Sequence, residues 1–213
     1  MKKTVFGLLI LAGVLFSCDT PVSSAAGSQT TFLINYKQEV FPDSNYTDCG
    51  DTYISSGAPG SNFGNNVDLY MGSNGIVRYR ILLRFELNEY LPANAVVKKA
   101  VITLVSISNL TDNFTVTAHA LASELEETSD TWIAKNTSID STPMGTGTGI
   151  AGNQVLAIEL DPALVEEWIT SPFDLNGIML KIENESDVYQ QIFYSRNYSI
   201  PSYRPMLTVE YSF

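Results

Sequence analysis

The chain predicts an all-β protein, an antiparallel jelly-roll-like β-sandwich carrying one short helix. From Thr30 onward, short runs rich in Thr, Val, Ile and Tyr are separated by clusters of Gly, Asn, Asp, Ser and Pro, a composition that suits half-buried strands and their turns. One segment departs from this pattern. Asp161-Pro162 supplies an N-cap and a first-turn proline ahead of Leu164, Val165 and Trp168, whose spacing places them on one helical face. Ser171-Pro172 ends that helix.

The first residues are not part of this pattern. Met1-Lys2-Lys3 followed by an apolar run from Val5 to Phe16 reads as a secretory signal over 1–17. The run is too short for the roughly 20 apolar residues of a spanning helix. Leu15-Phe16-Ser17-Cys18 resembles a bacterial lipobox, which makes Cys18 the lipid-bearing residue of an exported protein; the alternative is an ordinary signal cleaved near Ala25-Ala26. A multiply acylated N-terminus would anchor the protein stably, and the membrane would be a partner through that lipid alone. Residues 18–29, rich in Ser, Ala, Thr, Gly and Pro, form the expected tether. Residues 30–213 remain as a single domain, long enough to bury a stable core. With Cys18 acylated only Cys49 is left, so no internal disulfide is expected.

The predicted strands are Thr31 to Val40, Thr52 to Ser55, Asp68 to Met71, Val77 to Leu87, Val96 to Ser106, Phe114 to Leu121, Val155 to Leu160, Gly177 to Glu183, Gln190 to Arg196 and Met206 to Tyr211. Their regular spacing suits a sandwich. The Gly-, Thr- and Ser-rich stretch from Ile133 to Asn153 shows no period and predicts a long loop. Trp132 and Trp168 are both expected in the core.

The charge balance opposes two partner classes. A net charge of -11 and a pI near 4.4 disfavour nucleic acid and anionic lipid. Catalytic chemistry has little to stand on. The single histidine, His119, lies in a strand-like segment and reads as a satisfied structural group. Cys49 lies among Asp48, Gly50 and Asp51, acidic neighbours that raise a thiol pKa rather than activate it. No nucleophile elbow, phosphate loop or zinc spacing occurs. The cluster Glu124, Glu126 and Glu127 reads as solvated surface. Oxygen ligands for calcium are plentiful around Asp48, Asp51, Asn62, Asn65, Asn66 and Asp68, though no EF-hand spacing organises them and polar residues beside strands are usually turn chemistry.

The most informative strand is Val77 to Leu87. Tyr79, Ile81, Leu83, Phe85 and Leu87 point one way; Arg78, Arg80, Leu82, Arg84 and Glu86 point the other. Arginine forks at alternate positions suit bidentate contacts to carboxylates. The stripe therefore reads either as a site for uronate or sulfate, or as one half of internal cross-strand ion pairs. A second candidate surface joins Tyr189, Tyr194, Tyr198 and Tyr203 to Arg196 and Arg204.

The order of these motifs resembles a known family. Asp51-Thr52-Tyr53-Ile54, Asn62-Phe63-Gly64-Asn65, Leu69-Tyr70-Met71-Gly72, the run Arg80 to Leu87, Val101 to Leu104, Ser129 to Trp132, Leu160 to Thr170, Phe193 to Arg196 and Arg204 to Tyr211 resemble the DNRLRE domain, also classed as carbohydrate-binding module family 96. The resemblance covers about Asp51 to Tyr211 and departs after Trp132, where Pro143 is displaced. It implies a jelly-roll module without catalytic activity that binds acidic, alginate-like polysaccharide; no cofactor is expected apart from the calcium weighed above. Arg78, Arg80, Arg84, Arg196 and Arg204 would supply charge, and Tyr194 and Tyr198 stacking. A surface lipoprotein of this kind would hold glycan for surface enzymes or transporters. The rival expectation is a structural or adhesive surface protein whose sandwich is a scaffold for protein contacts.

Overall fold

A computed structural model describes residues 30–38, 40, 49–87, 90–171 and 176–213. The predicted signal, Cys18, the tether and Asp48 lie outside the described residues. Within them the chain is an all-β sandwich. Its strands are β1 (Phe32–Tyr36), β2 (Cys49–Ser55), β3 (Asp68–Ser73), β4 (Arg78–Phe85), β5 (Val96–Val105), β6 (Phe114–Ala120), β7 (Gly145–Gly149), β8 (Val155–Leu160), β9 (Ile178–Ile182), β10 (Tyr189–Tyr194) and β11 (Met206–Ser212). They pair antiparallel in the order β1-β11-β5-β8-β7-β6-β9-β4-β3-β10, with β2 added to β4. The sheet curls so far that Phe193 of β10 bridges to Ser106, just past β5.

Alternation along the strands fills the space between the layers. In β8 the pattern Val155-Leu156-Ala157-Ile158-Glu159-Leu160 buries every second residue, as a strand with one dry face must. Ile81 and Leu83 of β4, Ile102 and Leu104 of β5, Leu180 of β9, Phe193 of β10 and Leu207 of β11 meet in one main core. The predicted helix is α2 (Pro162–Thr170), capped by Asp161, whose carboxylate accepts from Ala163 N at 3.0 Å. Its Val165, Trp168 and Ile169 are buried, and Glu166 accepts from Val97 N at 2.7 Å, tying the helix to β5.

Three expectations are corrected. The stretch expected as a loop contains β7 and a single helical turn, α1 (Trp132–Lys135). β7 runs Gly-Thr-Gly-Thr-Gly, and a Cβ on Gly145 or Gly147 would strike the backbone of β8, while one on Gly149 would strike the Phe114 ring. Glycine is what lets the neighbours close in. The strand's inward positions carry no side chain, so it leaves no apolar period to read.

The second correction concerns Trp132, expected in the core but only half-buried. It packs on a smaller cluster formed by Ile54, Leu82, Leu121, Leu125 and Met179, on the opposite face of β2, β4 and β9 from the main core. Glu127 is the third. It was expected as solvated surface, but it is half-buried and paired with Arg196, because the segment carrying it folds over that smaller cluster.

Candidate functional site

The arginine-bearing face of β4 is covered rather than open. Ile54 of β2 lies beside Arg80, and Leu82 lies between Arg80 and Arg84, so the face is half apolar and needs a cover. The segment from Leu121 to Ile139 provides it. Arg80, mostly buried, donates from Nε and Nη2 to the two carboxylate oxygens of Glu185 at 2.7 and 2.8 Å and from Nη1 to the Asn136 carbonyl at 2.6 Å. Its guanidinium also lies 4.7 Å from the Trp132 ring centroid, a cation–π contact. Burial pushes the Glu185 carboxyl up, but the bonds and charge of Arg80 outweigh it and hold that group below its ordinary value. Arg84 pairs with Glu86 and Glu124. It lines a cavity of about 340 Å³ whose other charged walls are Glu86 and Glu127. Arg78, exposed at the start of β4, forms no ion pair among the described residues. The three arginines thus share a strand face but do not converge on an open surface.

Arg196 and Arg204 are braces. Arg196 forms a bidentate pair with Glu127, and its backbone N–H donates to Asp51 Oδ2 at 2.6 Å. Arg204, buried, donates from Nε to the Tyr198 carbonyl at 3.0 Å and from Nη1 to the Gln38 carbonyl at 3.1 Å. Lys37 Nζ donates to the Ser202 carbonyl at 2.9 Å. These three cations fix the segment after β10, which turns through a short 3-10 element at Pro201–Tyr203. Ser195 Oγ on the Asn66 carbonyl (2.7 Å) and Asn197 Nδ2 on the Gly64 carbonyl (2.8 Å) hold it from the other side.

What the braces present is a group of tyrosines. The Tyr194 ring lies 4.1 Å from Tyr198 and 5.1 Å from Tyr203, and Tyr198 and Tyr203 are 6.1 Å apart. Tyr194 and Tyr198 are partly exposed and Tyr203 is 40% exposed. Asp68 is the register partner of Tyr194 on β3. Tyr189 does not join this group; it is buried and stacked on Phe114 at 4.2 Å. Braced, partly exposed aromatic rings suit the C–H faces of sugar rings.

Of the calcium candidates, Asp51, Asn62 and Asn66 act as turn and brace residues. Asp51 is buried, and burial pushes its carboxyl up to about 7 against the opposing hydrogen bond from Arg196 N. Asn62 donates to the carbonyls of Glu127 and Asp130 at 2.8 and 2.9 Å and accepts from Gly64 N at 3.1 Å. Asn66 Nδ2 donates to the Tyr53 hydroxyl at 3.3 Å, and Asn65 is exposed. Among the described residues no three His, Cys, Asp or Glu side chains gather as a metal site. His119 is buried, with Nδ1 2.9 Å from the Asp140 carbonyl and Nε2 3.0 Å from Thr117 Oγ1; burial lowers its pKa. Cys49 is a half-buried thiol that forms no disulfide among the described residues.

The sequence pointed to the cations but not to their pairing with Glu185 and Glu127, which lie 105 and 69 residues away from Arg80 and Arg196. In comparisons with known proteins, no family model matches the chain and no curated protein matches it.

Proposed function

We propose that this chain is a non-catalytic glycan-binding surface lipoprotein, anchored through Cys18, that stacks sugar rings on Tyr194, Tyr198 and Tyr203. The observation that carries the reading is the braced tyrosine group. Three rings from one short segment are held by Arg204, Arg196 and Lys37 while part of their surface stays in water. The motif order that resembles the DNRLRE domain supports the same class. The charge on which uronate binding would rest is engaged internally at Arg80, Arg84 and Arg196, so stacking rather than charge is the main attraction and uncharged glycans bind at least as well as alginate.

The test is a glycan array probed with the full chain, followed by titration of the best ligand. Tyr203→Ala and Tyr194→Ala are each expected to weaken binding about fivefold, the equivalent of about 1 kcal/mol of lost ring contact. Retention of no glycan, or wild-type binding by both variants, overturns the reading. Fatty-acid labelling of the wild type but not of Cys18→Ser checks the anchor.

A second reading, a scaffold for protein contacts, has one observation in its favour. At β1, which pairs only with β11 among the described strands, Leu33 is exposed, and Phe32 stacks on Phe213 at 5.0 Å at the surface. Such apolar surface marks contact sites. A glycan-negative array together with self-association lost in Leu33→Lys would favour it.

A further inference from the structure

A cavity of about 390 Å³ opens at the other end of β10 from the tyrosine group, between the entry to β6 and the turn from β9 to β10. That volume suits a small ligand such as one hexose ring. Phe114 and Tyr189 form its apolar wall, their rings stacked 4.2 Å apart at an interplanar angle of 29°. The wall is built into the fold: Phe114 occupies the space that a side chain at Gly149 would need. Val188, 76% exposed, stands at the mouth.

The polar part of the lining is of one sign. Asp112, Glu183 and Asp187 are exposed carboxylates there, and no Lys or Arg lines the cavity. Unlike Glu185, Glu124 and Glu127, none of them is in an ion pair among the described residues. Two are already positioned. Asp112 Oδ2 accepts from Thr111 Oγ1 at 2.9 Å and Asp187 Oδ1 accepts from Asn184 Nδ2 at 2.7 Å. The three are not gathered closely enough to hold a metal ion. Spread carboxylates beside an apolar wall match a cation that itself carries apolar surface.

We infer that this cavity binds the protonated amine of an amino sugar, with the pyranose ring against Val188 and the partly exposed Phe114 and the ammonium toward Asp112, Glu183 and Asp187. The sugar half of this assignment rests on the glycan-binding reading above; the cationic half rests on the cavity alone.

The experiment is calorimetric titration of the full chain with glucosamine oligomers, their fully N-acetylated counterparts and spermidine. Unacetylated oligomers are expected to bind at least tenfold more tightly than acetylated ones, and affinity should fall as salt rises, because such contacts are partly exposed and screened. The double variant Asp112→Asn/Glu183→Gln, at two exposed positions away from the tyrosine group, is expected to weaken the unacetylated oligomers about tenfold, two charge-assisted contacts being removed. Its urea midpoint should match wild type. Equal affinity for acetylated and unacetylated oligomers, or unchanged affinity in the double variant, overturns the proposal. Spermidine binding as tightly as the oligomers overturns its sugar half. Loss of binding in Tyr203→Ala with none in the double variant places the glycan on the tyrosines and overturns the cavity alone. The reverse pattern supports the cavity and overturns the tyrosine reading.

Discussion

The two apolar clusters of this domain are closed by different means. The main core lies between layers of hydrogen-bonded strands, where side chains such as Ile102, Leu104, Leu180 and Leu207 meet with no charge among them. The smaller cluster has a sheet on one side only. Its cover is the segment from Leu121 to Ile139, which contains a single helical turn and no ladder strand. Charged groups hold that cover in place. Lys135, buried, donates to the Ser123 carbonyl at 3.1 Å and to Ser123 Oγ at 2.8 Å and pairs with Asp130 at 3.4 Å, while Asp130 accepts from Glu126 N at 2.8 Å. Arg80 and Arg196 hold the same region through Asn136 and Glu127, and Arg80 is itself paired with Glu185. A ladder satisfies a strand's backbone by repetition; a loop crossing apolar surface needs side chains to satisfy its carbonyls one at a time. The cations that looked like a ligand-binding stripe are placed where the cover needs donors.

This contrast can be broken most forcefully in the main core. Trp168→Ala removes a ring that is only 6% exposed and is expected to cost about 3 to 5 kcal/mol by urea titration. Next comes the ion pair at the edge of the smaller cluster. Arg80→Met leaves Glu185 largely shielded without its partner and leaves the Asn136 carbonyl without that donor, for an expected loss of about 2 to 3 kcal/mol, less than for a fully buried pair because both side chains keep some solvent. The double variant Arg80→Met/Glu185→Leu should recover much of this, since removing both charges removes the unpaired one. A double variant no better than the single would show that geometry, not charge pairing, is what Arg80 supplies. Smaller still is Trp132→Ala, at about 1 to 2 kcal/mol, because that ring is half in solvent. A cost equal to that of Trp168→Ala would erase the distinction between the two clusters.

The finest comparison is a pH slope. The Asp51 carboxyl is raised to about 7 by burial, while the backbone N–H of Arg196 and the charges of Arg196 and Arg204 oppose that rise and Glu127 adds to it. Its ordinary value is 3.8. Between about 4 and 7 the folded protein holds a proton there that the unfolded chain has released, so this group's contribution to stability falls as pH rises through that window. Asp51→Asn should therefore match wild type most closely near pH 4 and gain on it steadily up to about pH 7, with a constant difference above. Glu185 works in the opposite sense, its depressed value contributing stability that is lost only as pH falls below the ordinary carboxylate range. Urea midpoints of both chains from pH 4 to 8 check the sign, and parallel curves would remove the buried proton.

The sequence by itself determined the class of fold, most of the strands, the helix α2 and the inward alternation of β8 and β4, because each of these is a local period written in apolar side chains. It also determined that His119 would sit in a strand, since its neighbours alternate like strand residues. It did not determine β7, whose inward positions are glycines and whose burial comes from the backbone of β8 and the Phe114 ring of β6 closing over it. Nor did it determine that both faces of β4 are covered. Arg80 and Glu185 are 105 residues apart, and β4 meets the turn after β9 only because the sheet order puts β9 at its side. Which charges neutralise one another, and which of Trp132 and Trp168 reaches the main core, depends on what long-range pairing brings within a few ångströms, and that information belongs to no single stretch of the chain.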